Sequence, residues 1–224
     1  KVCVIGRSDG NVSWGPGTLS NVVSQINAVG GHGLVMQCDL LIPTAAEEGI
    51  GKIVSEFGCI DVLVNNAAHQ MTFETLEDIP DEEWERTFAT NIHAMFYLAK
   101  AALPHMAEGS SIINSASINS DQPNPTLLPY ATTKGAIQNY TAGLAQLLAD
   151  RKIRVNCVAP GPVWTPLIPS TMPEEDVAEF GKDYPLGRPA QPAELAPPYV
   201  MLASDEASYI SGATIAVTGA KPMM

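Results

Sequence analysis

The sequence predicts an α/β fold, a single domain built on a doubly wound parallel sheet. Three observations carry that expectation. Short apolar runs of strand length alternate with amphipathic stretches of helix length. The runs stay apolar throughout instead of alternating, and polar or turn-forming residues stand at their C-terminal ends. Strands of this kind are buried on both faces, which helices on both sides of a parallel sheet provide. The length of 224 residues fits one domain.

In chain order the strands are GLVMQC (33–38), IDVLVNN (60–66), SIINSA (111–116), IRVNCVA (153–159) and ATIAVT (213–218). Between them lie amphipathic segments at 44–57, 81–107 and 127–150, with a shorter one at 192–203. Ligands of such sheets bind beyond the carboxyl ends of the strands. Asp39, Asn65, Asn66, Ser117 and the Pro160-Gly161 pair all fall at such ends.

The segment 127–150 is helical by its pattern, since Ile137, Tyr140, Leu144, Leu147 and Leu148 recur at three- and four-residue steps. Tyr130 falls in its first turn and Lys134 four residues later, on the same face. A phenol titrates near pH ~10, and a nearby ammonium is expected to lower that value and make an acid/base usable at neutral pH. Ser117 stands thirteen positions before Tyr130 and supplies a hydroxyl. A hydride arriving at a carbonyl carbon puts alkoxide character on oxygen, which needs a hydrogen-bond donor and a proton source.

Further motifs follow in order: CDL at 38–40, NNAA at 65–68, TN at 90–91, SIINSAS at 111–117, YATTK at 130–134, PGPVWT at 160–165 and a closing strand before Gly219. On these the chain resembles the short-chain dehydrogenase/reductase family over nearly its whole length. NNAAHQ and the run from Pro185 to Gly219 look most like glucose/ribitol-type dehydrogenases and general-stress oxidoreductases. The resemblance implies a Rossmann-like fold and interconversion of a carbonyl and an alcohol with NADP(H) or NAD(H). It assigns catalysis to Asn91, Ser117, Tyr130 and Lys134: Tyr130 as acid/base, Ser117 polarising the substrate oxygen, Lys134 also holding the nicotinamide ribose, and Asn91 supporting a water that links Lys134 to solvent. Each also fits a structural role: Ser117 as a turn cap, Asn91 as a helix-interior asparagine bonded to backbone, Asn65 as a strand terminus.

The family's opening TGxxxGxG loop has no counterpart. The start registers better as the family's second strand, KVCVIGRSD, then a loop GNVSWGPG and a helix TLSNVVSQINAVGG ending at paired glycines. That registration implies a start one strand and one helix late, with roughly thirty residues, about one βα unit, upstream. It puts Arg7 and Ser8 where the adenosine ribose is read. Arginine there suits a 2′-phosphate and implies NADP(H) over NAD(H), the alternative being a plain surface charge. Asp39 and Leu40 are expected at the adenine, Asn65 and Ala67 along the adenosine half, and Pro160, Gly161, Val163 and Thr165 at the nicotinamide. Tyr130 and Lys134 serve cofactor and substrate alike. Residues 1–160 then carry mainly cofactor and catalytic functions, and 163–192 form a substrate lid.

Composition excludes several classes. The formal net charge of -12 opposes nucleic-acid binding, which needs basic surface. No apolar run reaches the ~18 residues of a membrane span, and no leader sequence is visible. The cysteines at 3, 38, 59 and 157 lie in or beside strands without CxxC spacing, so buried free thiols in a reducing, cytoplasmic setting are expected. The histidines at 32, 69, 93 and 105 show no HxxxH pairing, and no metal is expected. The partner is a small carbonyl or alcohol substrate, which His69, Gln70, Asn119 and Gln122 are positioned to meet if it is polar. The resemblance implies a homotetramer assembled through 81–107, 127–150 and the closing strand. A rival reading is a truncated, noncatalytic homologue that has lost dinucleotide binding and acts only through oligomer contacts. A dehydratase or epimerase of the extended branch needs a longer substrate domain.

Overall fold

The computed structural model of the chain describes residues 1–7, 9 and 18–223. Six strands form: β1 (Val2–Gly6), β2 (Gly33–Gln37), β3 (Val62–Asn65), β4 (Ser111–Ser115), β5 (Arg154–Pro160) and β6 (Thr214–Val217). All pairings are parallel, and each strand sits where an apolar run stands in the sequence. Between them come α1 (Leu19–Ala28), α2 (Pro43–Phe57), α3 (Asp81–Phe88), α4 (Ala94–Ala102), α5 (Leu128–Leu147), α6 (Leu167–Thr171), α7 (Glu174–Glu179) and α8 (Pro192–Ala203).

The sheet is covered on both faces, as continuous apolar strands require. In β4, Ile112 packs into one core with Leu98 of α4 and Leu144 of α5, while its neighbour Ile113 packs with Leu195 and Leu202 of α8. Adjacent strand residues point to opposite faces, so two separate cores on neighbouring residues define a doubly wound arrangement. Polar groups tie the layers: Asn114 Nδ2 donates to Thr141 Oγ1 of α5 (2.9 Å), and Ser111 Oγ donates to the Leu202 carbonyl of α8 (2.9 Å).

Among the described residues the strands fall into two sheets, β1-β2 and β3-β4-β5-β6. β1 pairs only with β2 and β3 only with β4, leaving one edge of each unpaired. On β3, Leu63 is 7% exposed, whereas Val62 and Val64 are 38% and 45% exposed. The helical layer containing α8 therefore does not extend over β3.

The stretch 81–107 is not one helix. α3 opens with Asp81, Glu82 and Glu83 in its first turn, where carboxylates complement the helix dipole. It passes into a π-turn over Ala89–His93 before α4, and Pro104 lies in the 3₁₀ turn that follows. The apolar periodicity continues through such a bulge, so the pattern alone conceals it. Two other expectations are corrected. Leu147 is 76% exposed rather than part of the buried face of α5, and Cys59 is exposed at the turn before β3, while Cys38 and Cys157 are buried. All four cysteines are free thiols. Among the described residues, no helix is long and apolar enough to cross a membrane.

Candidate active site

Ser117 follows β4 directly and is 6% exposed. Its backbone stays extended at φ -166° and ψ 160° and then turns into a 3₁₀ turn, which the Ser117 side chain caps by accepting the Asn119 N–H at 3.1 Å. Asn119 Nδ2 approaches the same oxygen at 3.4 Å, and Asn119 Oδ1 accepts the Asn124 N–H at 2.8 Å. Two donors therefore reach Ser117 Oγ, while its hydroxyl is in hydrogen-bonding contact with the Tyr130 phenol. The capping role and the chemical role are compatible.

Pro129 near the start of α5 suits a helix opening, and Tyr130 lies in the first turn. Lys134 is 2% exposed, one helical turn on, with Nζ 5.2 Å from the Tyr130 ring centroid. Its ammonium donates to the Ser115 carbonyl at 2.6 Å, so α5 is fastened to the end of β4 through the lysine.

The expected lowering of the Tyr130 pKa is not what this arrangement produces. Burial pushes the phenol up to about 12; the Ser117 hydroxyl works against that rise and Tyr199 adds to it. Burial likewise brings Lys134 down to about 8, with Cys157 acting weakly in the other direction. Desolvation disfavours the charged form of both groups and outweighs their mutual effect, because the ammonium is directed at a carbonyl rather than at the phenol oxygen.

Asn91 sits in the π-turn, 2% exposed. Its Oδ1 accepts the His69 N–H at 2.7 Å, while Nδ2 donates to the His69 carbonyl and to Thr133 Oγ1, both at 3.0 Å. Its side chain thus clamps the loop after β3 to the residue preceding Lys134. At the end of β3, Asn65 Nδ2 donates to Asn114 Oδ1 at 2.9 Å, and Asn65 Oδ1 is buried without a hydrogen-bond partner. Asn66 Oδ1 accepts from Ser115 Oγ at 2.7 Å, and Ser115 Oγ also meets the Tyr199 hydroxyl of α8 at 2.6 Å.

One cleft of about 1590 Å³ brings together Ala67, Ser117, Tyr130, Lys134, Pro160, Gly161, Val163 and Thr165. At Gly161 a Cβ would stand 3.0 Å from Thr218 Cα and 3.2 Å from the Thr218 carbonyl oxygen, so a side chain there would require the Thr218 backbone to give way by a few tenths of an ångström. Asn65 and Asn91 support the cleft without lining it. Arg7, Asp39 and Leu40 lie outside it, at the ends of the β1-β2 sheet. Arg7 is exposed and its carbonyl accepts from Gln37 Nε2 at 3.0 Å, while Asp39 Oδ1 accepts the Leu41 N–H at 3.0 Å. Ser8 lies outside the described residues.

The residues fit the nicotinamide half of a dinucleotide better than its pyrophosphate. Lys134 and Tyr130 face the cleft from one wall and the Pro160–Thr165 loop from another. The N-terminus of α1 is already engaged, because Thr18 Oγ1 accepts the Asn21 N–H at 3.1 Å and Asp9 Oδ1 accepts the Ser20 N–H at 2.7 Å. Among the described residues, no glycine-rich turn faces the cleft from β1.

Ser115, Thr133 and Tyr199 gain significance only from the structure, and Gln70, named from the sequence as a contact for a polar substrate, gains its partner Thr171 there. Tyr199 lies in a helical apolar stretch where nothing in the sequence sets it apart, and Thr133 is one more residue beside Lys134.

A family model described as enoyl-(acyl carrier protein) reductase matches residues 16–219. General stress protein 39 of Bacillus subtilis (strain 168) is 54% identical over 172 residues, 77% of this chain and 60% of that protein. Glucose and ribitol dehydrogenase of Daucus carota is 50% identical over 186 residues, 83% of this chain and 64% of that protein. The chain thus spans less than two thirds of the length of these relatives. Among solved structures, a short-chain type dehydrogenase/reductase from Mycobacterium marinum superposes with a TM-score of 0.88 at 31% identity, covering 99% of this chain and 86% of that one. A 3-ketoacyl-(acyl-carrier-protein) reductase from Brucella melitensis, complexed with NADH, gives 0.83 at 26% identity, covering 99% and 87%. With the motif order, the doubly wound parallel sheet and a serine, a tyrosine and a lysine meeting in one cleft, these matches establish that the chain belongs to the short-chain dehydrogenase/reductase family.

Proposed function

We propose that the protein is an NAD(P)(H)-dependent oxidoreductase interconverting a carbonyl and an alcohol, with Asn91, Ser117, Tyr130 and Lys134 as its catalytic group. The observation that carries this is the convergence of Ser117, Tyr130 and Lys134 on one cleft. A nicotinamide dinucleotide would supply or accept the hydride, with Lys134 and the Pro160–Thr165 loop holding its nicotinamide end. Ser117, its oxygen held by Asn119, donates a hydrogen bond to the substrate oxygen and polarises it. Tyr130, with a pKa near 12 in the free chain, is a neutral phenol at neutral pH and so carries the proton that an alkoxide takes up. Oxidation needs the phenolate, which the Lys134 ammonium would stabilise if it turned from the Ser115 carbonyl toward the phenol oxygen. Asn91 keeps α5 and the loop after β3 in register. Tyr130→Phe is expected to abolish turnover with cofactor affinity nearly intact; turnover in that variant would remove Tyr130 as the acid/base.

Residues 1–160 supply cofactor binding and catalysis, with 163–192 as a lid over a small carbonyl or alcohol substrate. Arg7 at the end of β1 supports a preference for NADP(H) through a 2′-phosphate, with Asp39 and Leu40 toward adenine. Arg7→Asp should weaken NADPH binding more than NADH binding, and equal losses would refute the preference. Exposed Phe96 of α4 and Leu147 of α5, 46% and 76% accessible, support homotetramer contacts through these helices. A monomer in size-exclusion chromatography at micromolar concentration would contradict that. The four free thiols fit a reducing, cytoplasmic setting.

The separation of the β1-β2 sheet from β3 among the described residues favours a second reading in which this chain by itself binds no dinucleotide. Fluorescence titration with NADPH and NADH separates the two. Saturable binding supports the oxidoreductase reading, and no binding to either supports the noncatalytic one.

A further inference from the structure

The lid is held by little. Apart from a turn bond to Thr165 at its root, residues 166–187 make one hydrogen bond to the rest of the chain among the described residues, from Gln70 Nε2 to Thr171 Oγ1 at 2.9 Å. The two partners lie 101 positions apart, on the loop after β3 and at the end of α6. Other anchors are the Lys221 ammonium over the Tyr184 ring at 4.8 Å and Trp164 beside Phe180, ring centroids 6.4 Å apart.

The chemistry of this bond is directional. Thr171 Oγ1 gives its single proton to the Leu167 carbonyl at 2.7 Å, so toward Gln70 it can only accept. That fixes the amide with Nε2 on the lid and Oε1 turned elsewhere. Gln70 is 4% exposed and lines the cleft, and Oε1 takes no protein partner among the described residues. A buried amide in a cleft wall, with one end committed to the lid, has its acceptor end left for a hydroxyl or amine in the cleft.

The geometry points to Gln70 as the lid-positioning residue: its amide latches α6 through Thr171 and holds the substrate wall closed over Ser117 and Tyr130. This rests on the cleft being the carbonyl site, but the latch has a readout that needs no turnover. Lys182, on the lid, has a side chain 58% accessible and is a site for trypsin. Local opening sets the cleavage rate when reclosing is fast.

The experiment follows tryptic cleavage after Lys182 by mass spectrometry in the wild type, Gln70→Leu, Thr171→Val, the double variant and Thr171→Ser. Loss of one net hydrogen bond should accelerate cleavage at Lys182 by about five-fold in each of Gln70→Leu and Thr171→Val. The double variant should cut no faster than the faster single, and Thr171→Ser, which keeps the hydroxyl, should behave as wild type. An unchanged rate, additive effects, or equal acceleration after Arg86 and Lys152 in the body of the fold would each overturn the latch. If the catalytic reading fails while the latch holds, cleavage still responds and only turnover is absent. With a working enzyme and glyceraldehyde as probe, Gln70→Leu should raise KM several-fold at nearly constant kcat; a fall in kcat at constant KM would speak against a positioning role.

Discussion

Lys134 is a buried cation whose ammonium donates to a backbone carbonyl, and Lys134→Met tests what its burial costs. Methionine preserves volume and removes the charge. The ordinary lysine pKa of 10.5 falls to about 8 in the folded chain. Between those values the unfolded state holds a proton that the folded state has released, so the wild type gains stability as pH rises through that window. Below pH 8 the burden is complete, and the displacement corresponds to roughly 3 kcal/mol. Losing the Ser115 bond adds an offset of about 1 kcal/mol in the variant, but that offset does not vary with pH. The informative quantity is therefore the difference between the two unfolding free energies as a function of pH. Urea unfolding at pH 7, 8, 9 and 10 should show the wild type gaining about 2 to 3 kcal/mol relative to Lys134→Met over the series. Tyr130, raised from 10 to about 12, acts oppositely: its folded state holds the proton longer, so stability falls with pH in that range. It contributes equally to both proteins and cancels. Parallel curves for wild type and variant would refute the claim that burial depresses this lysine.

Two further substitutions test the scaffold. Asn91→Ala removes three hydrogen bonds and strands the His69 N–H and carbonyl, and is expected to cost about 3 kcal/mol by denaturant unfolding; a loss under ~0.5 kcal/mol would mean that the π-turn does not depend on the clamp. Gly161→Ala drives a Cβ against Thr218 backbone and should lower stability by about 1–3 kcal/mol in thermal melts, with an unchanged melt showing that the end of the chain moves aside freely.

The strands and the helix carrying Tyr130 and Lys134 were legible in the sequence because each rests on local periodicity, whereas Ser117 was assigned beside them by the family resemblance. Apolar runs specify strands covered on both faces, and a four-residue step specifies a shared helical face. The resemblance assigned Pro160, Gly161, Val163 and Thr165 to the nicotinamide, and all four line the cleft that holds Tyr130 and Lys134. The π-turn over Ala89–His93 is not legible in the sequence because the residues on either side of it are helical and no Pro or Gly marks the change in hydrogen bonding.

Distances across the fold were not local and could not be read. Spacing alone suggested that Lys134 lowers the Tyr130 pKa. Only the tertiary structure decided that both groups are desolvated and that the ammonium turns to Ser115, which reverses the direction for the phenol. The engagement of Asn91 with the His69 backbone and Thr133, and of Gln70 with Thr171, likewise joins segments far apart in the chain. The sequence alone determined which elements form and which functional groups they carry. Packing decided their protonation, their partners and the separation of β1 from β3, because burial and hydrogen-bond geometry depend on neighbours brought from elsewhere in the chain.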